Sequence, residues 1–158
     1  LNNVHYINIV HYYHLRIGVN VMSSASAQLS GLILITVPAI VFGGFFLFTQ
    51  VISRAKGYAD NPLRRSLFTA GHAHAGVLIM FSLILQPLVD QTDMSSVLTT
   101  IARLGVPLAA ILMPLGFFLS VPMPDAKHTN RMRYFVYAGA IAVATSVFVL
   151  GIGLITTA

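Results

Sequence analysis

Four stretches of this sequence, residues 29–52, 67–89, 98–121 and 134–155, are each apolar and long enough to cross a bilayer core, which takes about 20 helical residues. The first and fourth hold no charge, the second lies between Arg65 and Asp90, and the third carries only Arg103 near its start. A barrel wall does not fit, because the runs lack two-residue alternation and are about twice the length of a barrel strand. The expected fold is all-α: a four-helix transmembrane bundle with short loops. Charged residues make up 8% of the chain and hydrophobic ones 56%. A water-soluble domain carries about 25% charged residues, so there is too little charge here to coat a soluble surface, and too much apolar material for a disordered chain. The net charge of +5 does not suggest a nucleic-acid partner, since the basic residues are scattered through loops rather than gathered on one face. With no cysteine in the sequence, disulfides, thiolate metal sites, iron–sulfur clusters and covalent c-type haem are excluded.

Loop charges orient the spans. The first connection carries Arg54, Lys56, Arg64 and Arg65 against Asp60, and the third carries Lys127, Arg131 and Arg133 against Asp125. The second holds Asp90 and Asp93 with no basic residue before Arg103. Because cytoplasmic loops are enriched in Lys and Arg, the first and third loops are expected in the cytoplasm and both termini on the outer side. The expected location is the bacterial inner membrane, with the protein crossing it several times and the lipid bilayer as its first partner. Residues 1–28 read as an N-terminal tail without fixed structure and residues 29–158 as one transmembrane domain. Within the tail, His5, His11 and His14 allow a metal-binding reading. The simpler expectation is that Met22 is the natural start, because His-x-x-His among tyrosines is a weak metal signature. The spans share no internal repeat, so an inverted-repeat transporter is not indicated.

The second span opens with TAGHAHAG at residues 69–76. An ionisable side chain within a membrane helix is costly and marks a candidate functional site, and neutral imidazole is the commonest metal ligand. Residues two apart on a helix of 3.6 residues per turn differ by about 200°. His72 and His74 therefore point to nearly opposite sides and cannot chelate one ion together. Helical spacing puts Thr69, Gly76, Ile79, Leu83 and Gln86 on the His72 side, and the apolar Leu78, Phe81, Leu85 and Leu88 on the His74 side. Since polar groups in lipid turn toward the bundle, His72 is expected to face inward. Gly71, Ala73, Ala75 and Gly76 leave room beside the imidazoles for a neighbouring helix or for a flat macrocycle.

The TAGHAHAG segment, followed by Val77 and Leu78, resembles the tenth transmembrane helix of haem–copper oxidase catalytic subunits, especially the cbb3 type, over about ten residues. The overall pattern also resembles small four-helix bacterial membrane proteins of uncharacterised function that carry a GHAHAG motif. In the oxidases a His-x-His pair serves two haems from opposite faces, so the resemblance implies His72 and His74 as axial ligands to haem iron and haem b as the cofactor. The chain departs from that family in having four spans and no other intramembrane histidine, which rules out a complete oxidase. A bis-histidine haem then requires a second copy of the chain, as a homodimer or within a larger membrane complex. Three readings of the pair stay open: haem or metal ligation in an electron-transfer or oxidase-associated protein, hydrogen bonding that stitches helices in a structural or assembly subunit, and protonation in a small transporter or sensor.

Several other residues carry expectations. Arg103 either meets an anionic head group or substrate, or snorkels to the interface or pairs with Asp90 or Asp93 in the same outer layer. Gln50 and Gln86, near span ends, are expected at the interface. Pro38, Pro107 and Pro114 interrupt helix hydrogen bonding and shape their spans. Gly105 with Ala109, and Ala138, Gly139, Ala140, Ala142 and Ala144, favour close helix contacts inside the bundle or between copies. Nothing matches a phosphate-binding loop, a Ser/His/Asp set, HExxH or paired catalytic carboxylates, and the reading leans against an enzyme.

Overall fold

A computed structural model describes residues 22–157; the reading of residues 1–21 lies outside them. The described chain forms α1 (Ser24–Ile52), α2 (Pro62–Val89), α3 (Ser96–Leu119), a single 3-10 turn (Arg131–Arg133) and α4 (Tyr134–Thr157). All four helices are long and apolar enough to cross a membrane. At 1.5 Å per residue, the 28 residues of α2 span about 42 Å, which exceeds the ~30 Å hydrocarbon core and reaches both headgroup layers.

The first helix begins five residues before the apolar run at Leu29. Ser23 caps it by accepting a hydrogen bond from the Ser26 N–H through Oγ, so the small polar lead-in at Ser24–Gln28 is helical rather than a loose tail. Asn61 caps α2 in the same way, accepting from the Arg64 N–H, with Pro62 in the first turn, where its missing N–H costs nothing.

The core lies along the α2–α3–α4 seam and includes Leu78, Leu85, Val89, Ala102, Val106, Ala109, Met113 and Leu150. Close approach there is bought by glycine. A Cβ at Gly105 would stand 2.5 Å from Ser146 Cβ and 2.8 Å from the Ala142 carbonyl oxygen, and one at Gly116 would stand 2.7 Å from the Val136 nitrogen. The small residues of α3 and α4 thus serve packing within the chain, where lipid supplies no hydrophobic drive and contact depends on fit. Ser146, fully buried, donates to the Ala102 carbonyl across the same seam at 2.7 Å.

The first helix is held differently. Only Ser26, Ile33 and Leu47 are buried along its 29 residues. Its C-terminal end joins a second apolar cluster of Leu47, Tyr58, Phe68 and Val121. That cluster lies at the basic end, where Asn61 Nδ2 donates to the Pro124 and Ala126 carbonyls, and Arg64 Nε donates to the Val121 carbonyl. Gly57, at φ +77°, packs against Pro124 where a side chain would collide. The two basic loops are therefore joined at one end. At the other end the Ser23 N–H donates to Asp90 and the Asp93 N–H donates to Thr157 Oγ1, so the first helix begins and the last finishes on the same side.

Candidate functional site

Helix α2 carries two polar sites, one near each end. At the acidic end, Arg103 Nη2 meets Asp90 Oδ1 at 2.8 Å, with both side chains about 15% exposed. Asp90 also accepts from the Ser23 N–H (2.8 Å), the Ser23 hydroxyl (2.8 Å) and the Ser26 hydroxyl (2.9 Å). Arg103 Nη1 reaches Ser26 Oγ at 2.9 Å. Burial alone would raise the Asp90 carboxyl, but the hydrogen bonds from Ser23, Ser26 and Arg103 outweigh it and hold the group below its ordinary value of 3.8. Donors to the ionised form have this effect. The cluster ties α1, α2 and α3 together.

Gln86 belongs to this end. The expected interfacial position is not observed: the side chain is fully buried, and its Nε2 donates to the Ser82 and Arg103 carbonyls at 3.2 Å each. A primary amide near a span end turns inward here because two carbonyls on α2 and α3 accept from it, whereas lipid offers no partner. Its Oε1 has no hydrogen-bond partner among the described residues.

The second polar site is His72, about 27 Å along the helix from Asp90 at 1.5 Å per residue. Its ring rests on a glycine pair of α1. A Cβ at Gly44 would lie 3.0 Å from His72 Nε2 and 3.2 Å from Cε1, and one at Gly43 would lie 3.6 Å from Nδ1. Beside the ring opens a cleft of about 280 Å³ whose walls come from three helices: Ile33, Thr36 and Ile40 of α1, Ala75 and Ile79 of α2, and Pro107 and Ile111 of α3. The lining is otherwise apolar, because the Thr36 hydroxyl is engaged with the Ile33 carbonyl at 2.7 Å. Among the described residues, neither ring nitrogen of His72 has a hydrogen-bond partner.

His74 faces the opposite way and is engaged. Its Nδ1 lies 2.7 Å from the Ala70 carbonyl, and a carbonyl can only accept, so Nδ1 bears the proton and Nε2 the lone pair in the neutral ring. Its ring packs on Phe117 of α3, centroid to centroid 5.0 Å. Gly71 allows the approach, since a Cβ there would stand 3.0 Å from Phe117 Cβ.

The expected stripe on the His72 side is only partly realised. Ile79 shares the cleft with His72, but Thr69 is exposed and lines a separate groove with Ala70 and Ala73, and Gln86 lies in the polar cluster at the acidic end. The apolar side of the helix is not turned to lipid: Leu78 and Leu85 are 6% and 4% exposed and sit in the core. The rule that polar faces inward fails here because α2 has neighbours on both sides, with α3 and α4 covering Leu78 and Leu85 and α1 covering His72. Met80 is exposed and Met113 packs in the core, so neither faces His72. Among the described residues, no three His, Cys, Asp or Glu side chains converge on one point.

Fold and site together define a multi-pass helical membrane protein with a histidine in a lateral cleft. Comparison with known protein families, with curated proteins and with solved structures finds no match.

Proposed function

We propose that this protein is a ligand-binding component of the bacterial inner membrane, associated with respiratory-chain chemistry, and that His72 is the polar contact for its ligand. The observation that carries this reading is an imidazole with no hydrogen-bond partner among the described residues, at the edge of an apolar cleft. A polar group removed from water without compensation costs several kcal/mol in the least forgiving case, and a ligand carrying one hydrogen-bonding or metal-coordinating atom would supply what the protein does not. The cleft sits at the small end of the ~300–1,000 Å³ range of ligand sites, which suits a small ring system or a chain end.

Haem b, implied by the motif, does not fit inside one chain. The notch at Gly43 and Gly44 is filled by the imidazole of His72 itself, the cleft of about 280 Å³ is too small to enclose a tetrapyrrole, and among the described residues no second axial group faces His72. A haem form takes two copies of the chain, each offering one His72 from the open side of the cleft. His74 supports a different role: its hydrogen bond is spent on Ala70 of its own helix and its ring packs on Phe117 of α3, which favours a structural part, so the two histidines divide the binding and structural readings between them.

Purification from native membranes in mild detergent, followed by a visible spectrum, metal analysis and mass spectrometry of bound small molecules, tests this reading. Wild type and His74→Ala are expected to retain a bound species that His72→Ala loses. A Soret band at one haem per two chains would select the shared-haem form. A wild-type protein that carries nothing, or a bound species indifferent to His72→Ala, overturns the proposal.

A further inference from the structure

Thr69, singled out with the motif, does not serve the His72 cleft, and its position points elsewhere. A groove of about 480 Å³ runs down the outer side of the α1–α2 pair at the basic end, lined by Val51, Tyr58, Arg65, Ser66, Thr69, Ala70 and Ala73. We propose that it is a binding site for an anionic phospholipid, with the phosphate held by Arg65 and the hydroxyls of Ser66 and Thr69 and an acyl chain lying over Val51, Ala70 and Ala73. This inference is independent of the His72 reading.

Three observations carry it. The first is a contrast between neighbouring arginines. Arg64 is engaged within the protein, donating to the Val121 and Gly57 carbonyls and lying 4.3 Å over the Phe68 ring, whereas Arg65 has no hydrogen-bond or ion-pair partner among the described residues and is exposed. The second concerns the hydroxyls. Thr36, Thr49, Ser82 and Thr156 each donate to a carbonyl of their own helix, the usual way such groups are satisfied in lipid. Ser66 and Thr69, one turn apart beside Arg65, do not. The third is the shape and setting of the groove. From Arg65 to Ala73 it covers about 12 Å of helix, more than the ~5–7 Å depth of one headgroup layer, so polar groups stand at its mouth and small apolar ones along its floor. Charge complementarity selects the occupant: this end of the bundle carries seven Lys and Arg in its two loops and helix starts against Asp60 and Asp125, and Asp60 is turned onto the Gly57 N–H. A phosphodiester with net negative charge matches this end, while a zwitterionic lipid returns a positive group to it.

The test is titration of lipid-depleted, detergent-solubilised full chain with phosphatidylglycerol, phosphatidylcholine or inorganic phosphate, read by native mass spectrometry and by thermal melting. Phosphatidylglycerol is expected to bind with a defined stoichiometry and at least about fivefold more tightly than phosphatidylcholine, the equivalent of one basic residue near an anionic surface. Arg65→Gln is expected to remove that preference, and Arg65→Gln/Ser66→Ala/Thr69→Val the defined stoichiometry as well, while Arg131→Gln in the neighbouring loop retains both. Equal losses in Arg65→Gln and Arg131→Gln would show a diffuse basic surface and overturn the site, as would equal binding of the two lipids. Displacement of phosphatidylglycerol by equimolar inorganic phosphate would show an aqueous anion site and overturn the lipid assignment. If the triple variant does not fold, Arg65→Gln decides the matter alone, since Arg65 is exposed and has no hydrogen bond or ion pair to lose among the described residues.

Discussion

At one end of α2, Asp90, Arg103, Ser23 and Ser26 satisfy one another; toward the other, His72 rests on two glycines and faces an apolar cleft with its ring nitrogens unmatched among the described residues. Both are polar intrusions into an apolar bundle, yet they differ in how their hydrogen-bonding capacity is met. A polar cluster closed on itself holds helices in register, and its charges are matched by neighbours. A polar group left open beside a cleft is where the proposed ligand would be matched. Closure separates the architectural site from the proposed binding one more sharply than residue type does.

The largest expected effect comes from opening the closed site. Asp90→Ala or Arg103→Ala leaves a partly buried charge without its partner and is expected to destabilise the protein by about 2–3 kcal/mol, the scale of a hydrogen bond to a charged group, read as a fall in melting temperature in detergent. Replacing both, as Asp90→Leu/Arg103→Met, should recover part of the loss, because it removes the unpaired charge but leaves the Ser23 and Ser26 donors without their acceptor. A double variant as unstable as the sum of the singles would show that the pair acts through more than mutual compensation.

Acid should open the same site. The Asp90 carboxyl is held below 3.8 in the folded protein, so its contribution is fully present above that value and is lost as pH falls through the lowered one. Melting temperature is expected to be flat with respect to this group from neutral pH down to about 5 and to drop below about 4. In Asp90→Asn the acid limb should be shallower. An unchanged acid limb in that variant would place the titrating group elsewhere.

Smaller effects are expected at the histidines. His74→Ala removes a hydrogen bond to Ala70 and a ring contact with Phe117, for a loss of about 1 kcal/mol, with bound ligand retained. The smallest change in stability is expected for Gly44→Ala. The new methyl would stand 3.0 Å from His72 Nε2, which displaces the ring, while alanine gains about 1 kcal/mol of helix propensity over glycine. Melting should move little and bound ligand should fall. The reverse result, with a lower melting point and unchanged ligand, would make the glycine pair a packing device.

The helices were legible because membrane spans announce themselves in runs of apolar residues, and the i, i+2 geometry of His72 and His74 followed from helical pitch alone. The partners of each histidine were not legible, since they depend on which helix lies on which side. Gly43 and Gly44 form a doublet inside an uncharged span, a visible signal whose meaning appears only when His72 is placed over it. Ser23 and Ser26 looked like a polar lead-in because their acceptor, Asp90, is more than sixty residues away. Gln86 looked interfacial for the same reason: the Arg103 carbonyl that receives its amide belongs to another helix.

The uneven fastening of α1 has a mechanical consequence. Clamped near Ser23 by the ionic cluster and near Leu47 by an aromatic knot, yet with Ile33 as its one buried residue between them, it behaves as a strut pinned at its tips. A strut so pinned would bow at mid-length without disturbing either anchor, and on the proposed reading guests of differing girth would slip in sideways from the acyl phase while the remaining three helices keep their packing.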